Sequence, residues 1–260
     1  MSFSSQTKKD LCEDIRSDPT ANRAELSAMI HMGGSLHFGG KNKISFDIKT
    51  ENASIARYAF KLIKKIYETE VHVNGTKNIR FKNKNTYTVR VSDPQVAMSI
   101  LLDLQIIVEV DGYKTVNDRV PEFVGEKREY KRAYLKGAFI ASGSISDPER
   151  TYHMEFVVQD ESFGDSLLEL LHAFDVPAKM ILRKNSYVIY LKDSEHIITT
   201  LNIIGAHNAL LAIENVKIVK GMRNKVNRVV NCETANLSKT VAASYRQVAC
   251  IEKIKAKGLY

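Results

Sequence analysis

Apolar residues recur along this 260-residue chain at two alternating periods, and the switches between them mark out its elements. Helical spacing comes first. Phe3, Leu11, Cys12 and Ile15 share one face of a helix predicted over residues 2–17, which Asp18-Pro19 is expected to stop. A second helix is predicted from about Asn22 to Met32. The period then drops to two in Lys43-Ile44-Ser45-Phe46-Asp47-Ile48-Lys49. This reads as a strand with Ile44, Phe46 and Ile48 on one face and Lys43, Ser45, Asp47 and Lys49 on the other. Gly39-Gly40-Lys41-Asn42 supplies the turn before it. Thr50 or Asn52 caps the next helix, which reaches about Tyr67 and buries Ile55, Tyr58, Ala59, Leu62 and Ile66. Val71 and Val73 open a strand pair that Tyr87, Val89 and Val91 complete, with a polar, basic hairpin over residues 77–85 between them. Pro94 then starts a helix carrying Val96, Ile100, Leu101 and Leu104.

After a charged connection over residues 107–128, punctuated by Asp111-Gly112, Pro121 and Gly125, the same order returns. Met154, Phe156 and Val158 match Ile44, Phe46 and Ile48 at an offset of 110, and Leu167, Leu168 and Leu171 match Tyr58, Ala59 and Leu62 at an offset of 109. A strand pair around Lys184-Asn185-Ser186 and a helix from about Ser194 to Ile204 complete the repeat. The predicted fold is therefore α+β: two lobes of order αββαββα related by a pseudo-two-fold axis, plus C-terminal helices. The expected divisions are 1–106, 107–128, 129–206 and 207–260. In the last of these, a helix over His207 to Lys220 precedes the basic stretch from Arg223 to Arg228. A final helix from Ala235 carries Leu237, Val241, Tyr245, Val248, Ile251 and Ile254, and Gly258 is placed to end it.

Two segments stand at corresponding places in the repeat. Leu26-Ser27-Ala28-Met29-Ile30-His31-Met32-Gly33-Gly34 and Leu135-Lys136-Gly137-Ala138-Phe139-Ile140-Ala141-Ser142-Gly143 start 109 residues apart, and both run into a Gly-Ser-apolar tail. Ala28 with Met32, and Gly137 with Ala141, give each helix a face that allows close approach. The two helices are expected to pack together as the axis of the duplicated protein.

Charge changes the picture. The net charge is +8, but residues 41–91 carry 12 basic and 4 acidic residues, and residues 215–260 carry 10 and 2, so the rest of the chain is acidic. Two basic segments favour a polyanionic partner such as nucleic acid over merely solvated lysines. The candidate contacts on the first lobe are Lys41, Lys43, Lys49, Arg80, Lys82, Lys84 and Arg90. The second lobe offers fewer, among them Lys184 with Lys179, Arg183 and Lys192, and Glu155 interrupts them. Arg223, Lys225 and Arg228 extend the set toward the C-terminus.

The chemistry of other classes is missing from the sequence. No Gly-rich phosphate loop and no Ser/His/Asp set appears, and no cofactor is expected. Cys12, Cys232 and Cys250 lack metal-ligand spacing, so neither zinc nor a disulfide framework is expected, and a reduced cytoplasmic setting fits. No apolar run is long enough for a membrane span. Asp147 and Glu149 suit a turn, His31 suits packing at the axis, and Cys232 suits burial.

The two nine-residue segments resemble the LAGLIDADG motif of homing endonucleases, whose eighth residue is a catalytic Asp. Here the eighth positions are Gly33 and Ser142, and the sixth are His31 and Ile140. The packing half of the motif is kept, and the metal-binding carboxylates are gone. The run from Tyr134 to Glu149, together with Asn231-Cys232-Glu233-Thr234-Ala235-Asn236-Leu237, is similar to WhiA, a bacterial regulator family built on a catalytically dead LAGLIDADG domain. The resemblance covers essentially the whole chain. It implies a non-enzymatic DNA-binding protein in transcription control of sporulation, cell division and chromosome segregation. It also implies a place in the cytoplasm on the nucleoid, and a second regulatory protein as a further candidate partner. In that family a helix-turn-helix follows. The chain ends at Gly258-Leu259-Tyr260, about where that domain should begin, so the domain is expected to be absent, whether through truncation, fragmentation or a natural short form. The alternatives are an active endonuclease, which requires an acid at each axis-helix end, and a protein scaffold, which requires no DNA affinity even at low salt.

Overall fold

The computed structural model describes residues 1–40, 43–78 and 84–258, except the side chains of 77, 78 and 84. The chain divides into a unit of residues 1–213 and a unit of residues 214–260.

The larger unit opens with α1 (Phe3–Leu11), capped by the Ser2 hydroxyl. It stops well before residue 17. The reason lies in α2 (Pro19–Gly33): the Asp18 carboxylate accepts from the Thr20 N–H at 2.9 Å, and Pro19 occupies the first turn, where its missing N–H costs nothing. Asp18-Pro19 therefore starts a helix instead of ending one. There follow β1 (Gly34–Gly39), β2 (Lys43–Thr50), α3 (Ala53–Tyr67), β3 (His72–Asn78), β4 (Lys84–Val91) and α4 (Pro94–Asp103). The side chains of Asn52 and Asp93 cap α3 and α4.

The connection is more structured than its charged composition suggested. It holds an antiparallel hairpin, β5 (Ile107–Val110) and β6 (Tyr113–Val116), and the short α5 (Glu122–Gly125). Asp111 and Gly112 make the hairpin turn with φ of 51° and 79°, the left-handed pair that a two-residue turn requires.

The second lobe runs α6 (Arg128–Ser142), β7 (Gly143–Ile145), β8 (Met154–Val158), α7 (Glu161–His172), β9 (Lys179–Arg183), β10 (Ser186–Leu191) and α8 (Ser194–Ile204). The two four-stranded antiparallel sheets have the same order, β1-β2-β4-β3 and β7-β8-β10-β9. Both αββαββα repeats are thus present. The register, however, corrects the sequence offset. Gly34 pairs with Ile48 and Gly143 with Phe156, so Phe156 takes the place of Ile48 and Met154 that of Phe46. The true offset there is 108, not 110. A slip of two residues leaves the same side chains facing the core, so apolar alternation could not detect it. The caps Asn52 and Asp160 keep the offset of 108, which sets Leu167, Leu170 and Leu171 at the places of Ala59, Leu62 and Ile63, all buried.

α2 and α6 lie against each other along their length, as the motif predicted. Gly33 approaches Ala141, and Gly137 approaches Glu25 and Ala28. One continuous apolar core joins both lobes around this axis.

The last helix, α9 (His207–Ala256), is unbroken where two helices separated by a basic stretch were expected. Residues 215–235 contain no Pro, and Gly221 alone weakens a helix by only about 1 kcal/mol. Its start belongs to the larger unit, where Ala209 and Ile213 are buried. The smaller unit is the rest of the helix, followed by Gly258 at φ 61°.

Candidate nucleic-acid interface

The strand register assigns the side chains of the first sheet. Leu36, Ile44, Phe46, Ile48, Val89 and Val91 face the core. The opposite face carries Ser35, His37, Lys43, Ser45, Asp47, Lys49, Thr86, Thr88, Arg90, His72, Asn74 and Thr76, none of them apolar. Lys43 and Lys49 are exposed there.

Asp47 lies at the centre of this face with its side chain fully covered. Arg90 donates to its Oδ2 at 2.7 Å, His37 Nε2 lies 2.8 Å from the same oxygen, and the Lys49 ammonium lies 3.8 Å from Oδ1. Burial works to raise the Asp47 carboxyl, but these partners outweigh it and hold the group below the usual range. Arg90 is therefore engaged by Asp47 instead of standing free. A carboxyl lowered in the folded state contributes stability above its unfolded value, near 3.8, and loses it as pH falls through the lower folded value. Thermal stability should accordingly drop on acidification below about pH 4, and Asp47→Asn should flatten that drop. An unchanged pH profile in thermal melts of the variant would overturn this role.

The second sheet differs. Glu155 stands where Asp47 does, opposite Ser144, and is held by Arg183 at 3.3 Å, His153 at 3.2 Å and Ser144 at 3.3 Å. Burial pushes its carboxyl up, but these partners prevail and keep it low. The next row is Val157, Val188 and Ile181, in place of Lys49, Thr88 and Asn74. This apolar row went unread in the sequence because the misjudged register hid which residues correspond. Lys184 is exposed in the β9–β10 turn, and Lys192 lies over the Tyr190 ring at 5.0 Å.

Of the remaining candidates, Lys41, Arg80 and Lys82 lie outside the described residues, and Lys84 is placed by its backbone alone at the start of β4. Arg223, Lys225 and Arg228 are exposed on α9 in the smaller unit. Cys232, expected to be buried, is exposed on the same helix.

The axis ends bear on catalysis. Gly33 and Ser142 are the last residues of α2 and α6. Among the described residues the Ser142 hydroxyl meets only the Met32 sulfur, at 4.0 Å. His31 Nδ1 lies 3.1 Å from the Tyr134 hydroxyl, and its ring packs 5.1 Å from that of Phe163. Burial lowers this imidazole to about 4, so it is neutral at physiological pH. Asp147 accepts from the Glu149 N–H at 3.0 Å, a turn contact. Among the described residues no three His, Cys, Asp or Glu side chains converge as a metal site would need.

Comparison with known proteins agrees with this anatomy. The model of the WhiA N-terminal LAGLIDADG-like domain matches residues 19–107, and that of the WhiA LAGLIDADG-like domain matches residues 131–223. The model of the WhiA C-terminal HTH domain matches residues 226–260, which overturns the expectation that this element is absent. The matched residues are helical through Ala256. A helix-turn-helix opens with a helix, so pattern alone could not tell this stretch from a linker. The probable cell division protein WhiA of Alkaliphilus metalliredigens is 45% identical over 255 residues, 98% of this chain and 80% of that protein. Its counterpart in Clostridium acetobutylicum is 42% identical over the same shares. The crystal structure of full-length WhiA from Thermatoga maritima aligns with a TM-score of 0.71 at 21% identity, over 98% of this chain and 80% of that one. The endonuclease I-DmoI, solved with DNA and Mn, shares the fold at a TM-score of 0.51 and 14% identity, over 72% of this chain and 98% of its own. The chain belongs to the WhiA family.

Proposed function

We propose that the protein is a non-enzymatic DNA-binding regulator acting in cell division, with sporulation and chromosome segregation as related settings, on the nucleoid in the cytoplasm. The observation that carries this reading is the pairing of a helix-turn-helix match over residues 226–260 with Gly33 and Ser142 at the axis ends. An endonuclease needs a metal-binding carboxylate at both ends; this chain keeps the scaffold without them. The helix that matches the start of the helix-turn-helix model carries DNA contact, with Arg223 and Lys225 just before the matched segment and Arg228 within it supplying phosphate contacts. On the larger unit, Lys43 and Lys49 bind phosphate across the polar sheet face, while Arg90 mainly holds Asp47. The second lobe contributes little beyond Lys184, because its corresponding face carries Val157, Val188 and Ile181.

Two measurements test this. Incubation of duplex DNA with magnesium and the purified protein should give no cutting; specific double-strand cleavage would sink the non-enzymatic reading. Titration of a duplex at several salt concentrations should give a slope of log affinity against log salt that shrinks by roughly one for each of Lys43→Ala and Lys49→Ala. An unchanged slope in both variants would remove the sheet face from the interface, and no affinity at low salt would favour a protein scaffold.

A further inference from the structure

Asp47 and Arg90 stand directly opposite each other on the two central strands of the first sheet, in a row that runs Ser35, Asp47, Arg90 and His72 from β1 to β3. The carboxylate takes only one guanidinium nitrogen, Nη2, at 2.7 Å. Nε is covered and has no hydrogen-bond partner among the described residues, and the side chain as a whole is 42% exposed. What Arg90 presents to solvent is therefore its Nη end. The outward side chains around it include Ser35, Ser45, Thr88 and Asn74, all shorter than arginine. Lys43 and Lys49 share the same face on β2, one on each side of this row. At strand rise their backbones are about 20 Å apart.

We propose that Arg90, aligned by Asp47, reads a guanine in the major groove of duplex DNA. The inference rests on the DNA-binding reading and deepens it by naming a residue that tells sequences apart. Three features point to a base edge instead of a phosphate. Lysines about 20 Å apart straddle a groove about 12 Å wide when each holds a phosphate, which leaves the row between them over the base edges. Asp47 offsets the charge of Arg90, so the pull on phosphate weakens while the donors stay in place. Asp47 also fixes the side chain before DNA arrives, and a donor already held loses little rotamer freedom on binding. Guanine follows from the donor pattern. A guanidinium has donors only, and guanine alone offers two adjacent acceptors, O6 and N7, in the major groove. The second lobe lacks this arrangement. Tyr190 stands opposite Glu155 where Arg90 stands opposite Asp47, and Glu155 is held instead by Arg183 from the edge strand.

The test starts from a random duplex library bound by the intact chain, with the bound fraction sequenced. Wild type should enrich a guanine at one position or more, and Arg90→Lys, which keeps the charge but not the fork, should lose that preference at one of them. Replacing this guanine by 7-deazaguanine, which lacks the N7 acceptor, should weaken wild-type binding about tenfold and leave Arg90→Lys within about twofold. Lys49→Ala should lower affinity for all sequences alike and keep the preference. Thermal melts establish that the variants are folded, and the 7-deazaguanine comparison can be made on wild type alone. Wild-type preference at every position in Arg90→Lys would overturn the proposal, as would wild-type affinity unchanged by 7-deazaguanine at each preferred guanine. Duplex binding without any base preference would overturn it too, while leaving DNA binding intact. No duplex binding at low salt would instead bring down the DNA-binding reading, and this proposal with it.

Discussion

Replacing Lys136 by Met is expected to destabilise the intact chain by about 3–5 kcal/mol, because it leaves a buried carboxylate alone. Lys136 belongs to α6 and Glu25 to α2, and their side chains are buried with Nζ 3.0 Å from Oε1. Tyr58, from α3, donates to the same Glu25 oxygen at 2.7 Å and accepts from Lys136 at 2.9 Å. Among the described residues the other carboxylate oxygen, Oε2, has no hydrogen-bond partner. Burial pushes the Glu25 carboxyl up, and Lys136 is the chief influence against that. Without the ammonium the carboxyl rises further. A carboxyl whose folded value is raised costs stability in full above that value, and the cost declines as pH falls from the folded toward the unfolded value, below which it is gone. The penalty of Lys136→Met should therefore shrink on acidification, and Glu25→Gln in the same chain should restore most of it. Chemical denaturation at several pH values measures both. A single variant as stable as wild type, or a double variant no better than the single, would show that the pair does not hold the lobes in register.

This ion pair illustrates how unevenly the fold could be read from the sequence. Glu25 and Lys136 sit on helices correctly predicted as the axis, yet charged residues on an amphipathic helix are normally assigned to solvent. Only the crossing of α2 and α6 sets them face to face. The axis itself was legible because small residues recur at helical spacing in both motifs. The succession of helices and strands along the chain was legible because the alternation in residues 43–49 and 87–91 is clean, although β1 itself (Gly34–Gly39) was not read as a strand. The β5–β6 hairpin was missed although Asp111-Gly112 between Val110 and Tyr113 is a strong turn signal; the charged composition of the connection outweighed it. The C-terminal helix-turn-helix was missed because its first helix has the same period as any exposed helix.

The candidate site was legible to a different degree. Alternation places Lys43 and Lys49 opposite Ile44, Phe46 and Ile48, and the register agrees. That Asp47 would hold Arg90, His37 and Lys49 depends on which residues stand opposite one another across strands, and that is a property of register rather than composition. For the same reason the apolar row Val157, Val188 and Ile181 could not be placed.

Substitution at Gly137 should force the two axis helices apart. A Cβ there would run into the Glu25 carbonyl oxygen and come within 3.0 Å of the Ala28 Cβ. The obstacle is backbone, so no rotamer change relieves it, and α2 and α6 must separate. Separation also pulls apart Lys136 and Glu25, since Lys136 is the adjacent residue. Gly137→Ala is expected to cost about 3 kcal/mol, the upper end for overpacking, even though alanine favours the helix by about 1 kcal/mol over glycine. Gly137→Val should cost more and leave little folded protein. Gly33 gives the control. It too lies on the axis, but its Cβ would meet only the Ala141 methyl at 3.3 Å and the Ala141 Cα at 3.8 Å, so Gly33→Ala should stay within about 1 kcal/mol of wild type. Urea denaturation of the two alanine variants separates these outcomes. Equal stabilities would mean that the lobes tolerate a wider spacing at Gly137 and that close approach does not set the geometry of the axis.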